Sequence, residues 1–218
     1  MKNSLTLAFF LIFFLMTSVF TASAVKTKKV FVWNYENQTF TLELWLENHL
    51  NYVQPSVNQP EPNYYASFLV TKPNDLSVND VARKLDSLAK WQKFTSDQLL
   101  KLDASFVQHC IVSIKGDGRA LPPKFPYQTL LDGFGDCEDK SLLCYAIMDK
   151  QGYKVALARF PSHLAVGVGC SPDLSEKDSG FTYLETTGFD LIGHLPHSNS
   201  IDLTFILPSS GKKIFHFS

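Results

Sequence analysis

Nothing in this sequence offers a surface of one charge sign. Its 20 basic and 21 acidic residues nearly cancel over 218 positions, leaving a net charge of −1. That gives neither a basic groove for nucleic acid nor a polybasic face for a membrane. Cysteine is scarce too: four in this length do not make a disulfide-built scaffold. None forms a Cys-x-x-Cys pair and no Cys/His cluster has zinc-ligand spacing, so no structural metal site and no cofactor are expected. The apolar run Leu5 to Met16 is shorter than the roughly 20 residues that span a bilayer. Internal repeats and low-complexity stretches are missing. What remains is globular composition, 45% hydrophobic with 18 Phe, 8 Tyr and 3 Trp, enough for one sizeable core.

The first 24 residues read as a targeting signal. Lys2 supplies the positive end, the Leu5–Met16 run the apolar centre, and Ala22-Ser23-Ala24 the small-x-small cleavage pattern. Cleavage after Ala24 predicts a secreted or periplasmic protein whose residues 25–218 form one domain. Retention of the segment is the alternative, and only then would a membrane be a partner. No cysteine follows the cleavage site, which argues against a lipid anchor. In an exported chain an even cysteine count permits disulfides. A Cys110–Cys170 bridge is open on this ground, whereas Cys144, two helical turns beyond Cys137, reads as a buried small hydrophobe.

Along the mature chain, Val25 to Lys29 is basic and reads as loose. Val30–Trp33 and Phe40–Leu46 alternate apolar and polar residues, predicting two strands joined around Asn37-Gln38. Asn37-Gln38-Thr39 is also a glycosylation sequon, meaningful only in a eukaryotic secretory pathway. Asn48 to Asn63 reads as a loop, and Tyr64 to Thr71 as a short strand or helical piece. Val78, Val81, Leu85, Leu88 and Trp91 form an apolar stripe, predicting a helix over 74–94. A second helix over 95–109 is capped by Thr95 or Ser96, with Leu99, Leu102, Phe106 and Val107 inward. Lys115 to Phe125 is a surface excursion rich in turn residues. A third helix, Cys137 to Lys150, turns Leu142, Leu143, Ala146 and Ile147 inward and ends at Gly152, where a left-handed residue is wanted. Strand patterns follow at Tyr153–Leu157, His163–Val168 and Phe181–Thr186, the last two joined by a polar hairpin turn. Ile201–Leu207 and Ile214–Phe217 either close that sheet or pair with the N-terminal strands. Helices followed by an antiparallel sheet predict an α+β fold.

The chemistry concentrates at Gly133-Phe134-Gly135-Asp136-Cys137-Glu138-Asp139-Lys140. A thiol attacks only as thiolate, and the unpaired N–H groups and dipole at a helix N-terminus favour that form. The two glycines permit the tight backbone that delivers Cys137 there. A nearby imidazole would favour the thiolate further and then protonate a leaving group. His163 is the candidate: Ala165 and Gly167, on its face of the strand, leave room for a substrate or for the helix. An imidazole needs an acceptor on its second nitrogen to fix its orientation. Glu185 supplies a carboxylate if its strand pairs with that of His163, and Thr186 and Thr187 are fallback acceptors or supports. Each of these residues alone more often has a bland role; their order beside the glycines points to catalysis.

The run Pro126 to Ser141, then Gly152-Tyr153, His163 to Val168 and Tyr183 to Thr187, resembles the transglutaminase-like superfamily, nearest in style to its exported bacterial members. The likeness covers Phe106 to about Pro196. It implies a papain-like α+β core, with a nucleophile-bearing central helix packed on an antiparallel sheet. It also implies a cysteine–histidine–acid triad carried by Cys137, His163 and Glu185. Glutamate stands where the superfamily usually has aspartate. Phe106-Val107-Gln108 resembles the preceding helix of that family, so Gln108 is either an oxyanion donor or a surface glutamine. Asp136, Glu138 and Asp139 either cap the helix or collect calcium, and capping with local salt bridges is preferred. Ionised together they would oppose a thiolate, so some must be paired or turned away.

Three expectations follow. The lead is a cysteine-nucleophile enzyme that acts on amide or peptide bonds of a protein or peptide substrate through an acyl-thioester. Hydrolysis is favoured over transamidation. The second is a non-catalytic module of the same fold, with Trp33, Trp45, Tyr64 and Tyr65 presenting a peptide or glycan surface. The third ties Cys137 into a disulfide.

Overall fold

The computed structural model describes residues 26–47, 62–69, 72–115, 122–176, 179–189, 192–195, 203–208 and 212–216. The signal segment and most of the expected loop at 48–63 lie outside these residues. So do 116–121 of the surface excursion. Among the described residues no helix is long and apolar enough to cross a membrane.

The chain opens with a hairpin of β1 (Lys26–Tyr35) and β2 (Gln38–Glu47), paired antiparallel around the two-residue turn Glu36-Asn37. Both turn residues have positive φ, 46° and 61°, the geometry whose twist matches that of a hairpin. Period-two alternation turns Phe31, Trp33, Phe40, Leu42, Leu44 and Leu46 inward. The segment expected to be loose is strand instead. Lys26 and Lys28 face acids across the ladder, Glu47 at 3.7 Å and Glu43 at 2.8 Å, so their charge is accommodated on the solvent side of a paired strand.

Among the described residues four helices follow before the nucleophile loop: α1 (Pro62–Leu69), α2 (Lys72–Gln92), α3 (Ser96–Cys110) and α4 (Pro126–Asp132). On α2 the inward stripe is Val78, Val81, Ala82, Leu85 and Ala89. Trp91, expected inward, is 77% exposed, because it lies two residues past Ala89 and therefore on the opposite side of the helix. Thr95 and Gln98 close a capping box at the start of α3. Helix α4 is not anticipated by apolar periodicity; its signal is Pro126 at the first position and the left-handed Gly133 (φ 78°) at its end.

A short parallel pair, β3 (Val112–Ser113) and β4 (Phe134–Gly135), then clips the end of α3 to the loop that opens α5 (Cys137–Lys150). Helix α5 is buried on nearly every side from Asp139 to Met148, more than the single apolar face expected of it. Its last turn passes into Gly152 at φ 85°. Strands β5 (Val155–Phe160), β6 (His163–Gly169), β7 (Phe181–Leu184), β8 (Thr204–Leu207) and β9 (Lys212–His216) form one antiparallel sheet in the order β7-β6-β5-β8-β9. The C-terminal strands thus extend this sheet and leave the N-terminal hairpin as a sheet of its own. The fold is α+β with antiparallel sheets.

One core joins the hairpin, the helices and the α5-facing side of the sheet through Leu157, Leu164, Val166, Val168 and Ile206. Trp33 and Phe31 meet Phe106 of α3 edge-on at 5.4 and 5.3 Å, and Trp33 Nε1 donates to Ser105 Oγ at 3.0 Å. The far side of the sheet carries a second cluster that includes Ala165, Phe181, Tyr183 and Phe205.

Candidate active site

The glycine-rich loop resolves residue by residue into a helix start. Gly133 takes the left-handed conformation that ends α4. Gly135 is needed for a different reason: a Cβ on it would lie 2.5 Å from the Asp139 Cβ. Asp136 is the N-cap, accepting from the N–H groups of Glu138 and Asp139 at 3.0 and 3.1 Å. Asp139 reciprocates by accepting from the Asp136 N–H. Cys137 is therefore the first helical residue, and its N–H is left by the cap.

The three carboxylates are each engaged. Asp139 also accepts from the Lys124 N–H at 2.6 Å, and Glu138 from the Tyr65 hydroxyl at 2.9 Å. Burial raises the carboxyls of both Glu138 and Asp139. The capping part of the preferred expectation holds for Asp136 and Asp139. Among the described residues the hydrogen-bond partners of the three carboxylates are N–H groups and the Tyr65 hydroxyl rather than the salt bridges expected beside it. Among the described residues no group of three or more His, Cys, Asp or Glu is arranged to hold a metal.

His163 begins β6 at the end of the sheet nearest the start of α5. Its ring lies close enough to the Cys137 thiol for the thiol to act on the imidazole, and its Nε2 donates to Glu185 Oε2 at 2.9 Å. The thiol and the carboxylate raise the imidazole to about 10, burial opposing them. Glu185 lies one residue past the end of β7, largely buried. Burial would raise its carboxyl, but hydrogen bonds from His163, Tyr183 and Thr187 outweigh it and hold the group well below the ordinary carboxylate range. The Tyr183 hydroxyl donates to Oε2. The N–H groups of Thr186 and Thr187 donate to Oε1 at 2.8 Å each, and the Thr187 hydroxyl at 2.7 Å. The extra methylene of glutamate is thus held by its own following turn.

The structure brings Cys137, His163 and Glu185 together. Gln108 arrives beside them, though its Nε2 donates to the backbone carbonyl of Glu185 at 2.8 Å. Thr187 supports Glu185, and Thr186 meets Ser141 Oγ at 3.0 Å while Ser141 also donates to the Leu164 carbonyl. One expectation fails. The small residues after His163 make room for neither helix nor substrate; they admit Phe205, whose nearest ring carbon would lie 2.5 Å from a Cβ at Gly167. Tyr183, Ser141 and Lys140 were not singled out from the sequence. Tyr183 carried a signal, standing two residues before Glu185 on the same strand face. Lys140 carried another, as the one basic residue before an eight-residue uncharged stretch of α5.

All four cysteines are free thiols. Burial lifts Cys110 to about 12, and it raises Cys144 and Cys170 as well.

No family model and no curated protein matches the chain. Among solved structures, a candidate protease from Parabacteroides distasonis superposes with a TM-score of 0.47 at 11% identity, over 87% of this chain and 40% of that one. The chain spans less than half the length of that protein.

Proposed function

We propose that this chain is an exported cysteine-nucleophile hydrolase of the transglutaminase-like, papain-like type, acting on amide or peptide bonds. One observation carries the proposal: a cysteine at the first position of a helix lies beside an imidazole that it raises, and a multiply bonded carboxylate fixes that ring. The sequence motifs in their order support the same assignment, and the N-terminal apolar segment supports export.

The Cys137 thiolate attacks the substrate carbonyl and a C–S bond forms. Charge develops on the carbonyl oxygen, to which the Cys137 N–H, not used by the Asp136 cap, can donate. Gln108 has one amide N–H committed to Glu185, so its part in that work is secondary. The His163 imidazolium gives its proton to the leaving amine as the C–N bond breaks, leaving an acyl-thioester. Neutral His163 then takes a proton from water, which attacks and releases the thiolate. Glu185 keeps the ring in one tautomer and balances its charge. An amine in place of water would give transamidation; hydrolysis is favoured because the motifs are nearest in style to exported bacterial members.

Iodoacetamide labelling at pH 7, followed by mass spectrometry of each cysteine peptide, tests this. Cys137 is expected to label at least about tenfold faster than Cys170, the half-buried thiol raised by burial. His163→Ala should remove most of that advantage. Equal rates at Cys137 and Cys170 would sink the proposal in favour of a non-catalytic module.

A further inference from the structure

Lys140 is fully buried, yet none of the described ion pairs includes it. Burying an ammonium is costly unless all its protons find acceptors. Here they do. Nζ donates to the Ile111 carbonyl at 2.7 Å, to Ser113 Oγ at 2.8 Å and, at longer range, to the Gln108 carbonyl at 3.4 Å. Two of these acceptors lie at the C-terminal end of α3, where carbonyls lack helical partners and the dipole is negative. A side chain from the nucleophile helix therefore plugs the end of its neighbour.

Two of the three residues it holds, Gln108 and Ser113, reach onward to the same turn. An ammonium is donor-only, so Ser113 Oγ must accept from it and has its own proton free for the Thr187 carbonyl, 2.9 Å away. Gln108, held through its main chain, donates from its side chain to the Glu185 carbonyl. The turn from Glu185 to Thr187 is thus fixed at its first and last carbonyls. Within it, Thr187 orients one carboxylate oxygen of Glu185 while the other faces His163.

We propose that Lys140 is a positioning residue: through Gln108 and Ser113 it sets the turn that aims Glu185 at His163, and so helps set the charge state of the imidazole. It rests on the hydrolase assignment only for its consequence in turnover, not for the geometry.

The test is a pH titration of the His163 ring signal by NMR on the full chain. It compares wild type, Lys140→Met, the double variant Gln108→Leu/Ser113→Ala, and Ser113→Thr. In Lys140→Met and in the double variant the midpoint should fall by about one pH unit or more, with Cys137 labelling slowed about tenfold. Ser113→Thr keeps the hydroxyl and should titrate like wild type. This readout needs no turnover, so it decides the role of Lys140 even if the chain proves not to be a hydrolase. An unchanged midpoint in folded Lys140→Met overturns the proposal. If that variant does not fold, an unchanged midpoint in the double variant, which keeps the lysine, does the same.

Discussion

His163 and Glu185 give the site a pH signature that can be read in stability. The imidazole, ordinarily at 6.5, is raised in the fold to about 10. A base raised in this way contributes stability fully below 6.5 and loses it as pH rises through about 10. Glu185, ordinarily at 4.5, is lowered in the fold. Its contribution is present above 4.5 and is lost as pH falls. The pair is therefore most stabilising between about 4.5 and 6.5. Thermal melts across a pH series should show the Tm difference between wild type and His163→Gln largest near pH 5 to 6 and nearly gone by about pH 10. A difference that is flat across this range would mean the folded ring is not held charged.

The nucleophile helix depends on a cap that depends on a glycine. In Gly135→Ala the new methyl meets the Asp139 side chain, whose oxygen would lie 3.0 Å away and whose Cβ lies closer still. Asp139 must then leave the Asp136 N–H. A broken cap of this kind costs about 0.5 to 2 kcal/mol, with overpacking adding to it. The same change should slow Cys137 alkylation. Gly152→Ala makes the useful contrast, since φ is positive there but no atom lies within 4 Å. It should cost about 1 to 2 kcal/mol of left-handed strain in urea denaturation and leave alkylation unchanged. Read from the sequence, the two glycines of the loop serve one purpose, a tight backbone. The packing separates them: Gly133 supplies a conformation and Gly135 supplies space. Helix α4 shows the same divide, its ends marked by Pro126 and Gly133 while its seven residues are too few for a periodic stripe.

At the scale of the whole molecule, a single core runs from the hairpin through α5 to the sheet. Leu44→Ala, at a hairpin position that is 1% exposed, should therefore cost about 2 to 5 kcal/mol. The loss should also appear far from the substitution. Tryptophan fluorescence reports Trp33 and Trp45 in the hairpin and Trp91 on α2, whereas alkylation of Cys144 reports opening around α5. The two urea midpoints should coincide in wild type and fall together in Leu44→Ala. If fluorescence alone moves, the hairpin melts as a separate unit.

The sequence by itself determined the alternating hairpin, the capped helices, the cysteine at a helix start, and a histidine at a strand start; Glu185, read as lying inside a strand, falls one residue past β7. Those features rest on period, capping chemistry and turn residues, all of which act within a few neighbours along the chain. It did not determine which side of a strand would be crowded, and so Ala165 and Gly167 were assigned space that Phe205 fills. Nor did it show that Lys140 would be buried against the Ile111 carbonyl and Ser113. Those outcomes depend on groups brought together from distant parts of the chain, from Gln108 to Thr187, and only the tertiary structure decides such contacts. The loop at Gly133 to Lys140 carries both kinds of information: its residues dictate a capped helix start, and its neighbours decide what the thiol at that start can do.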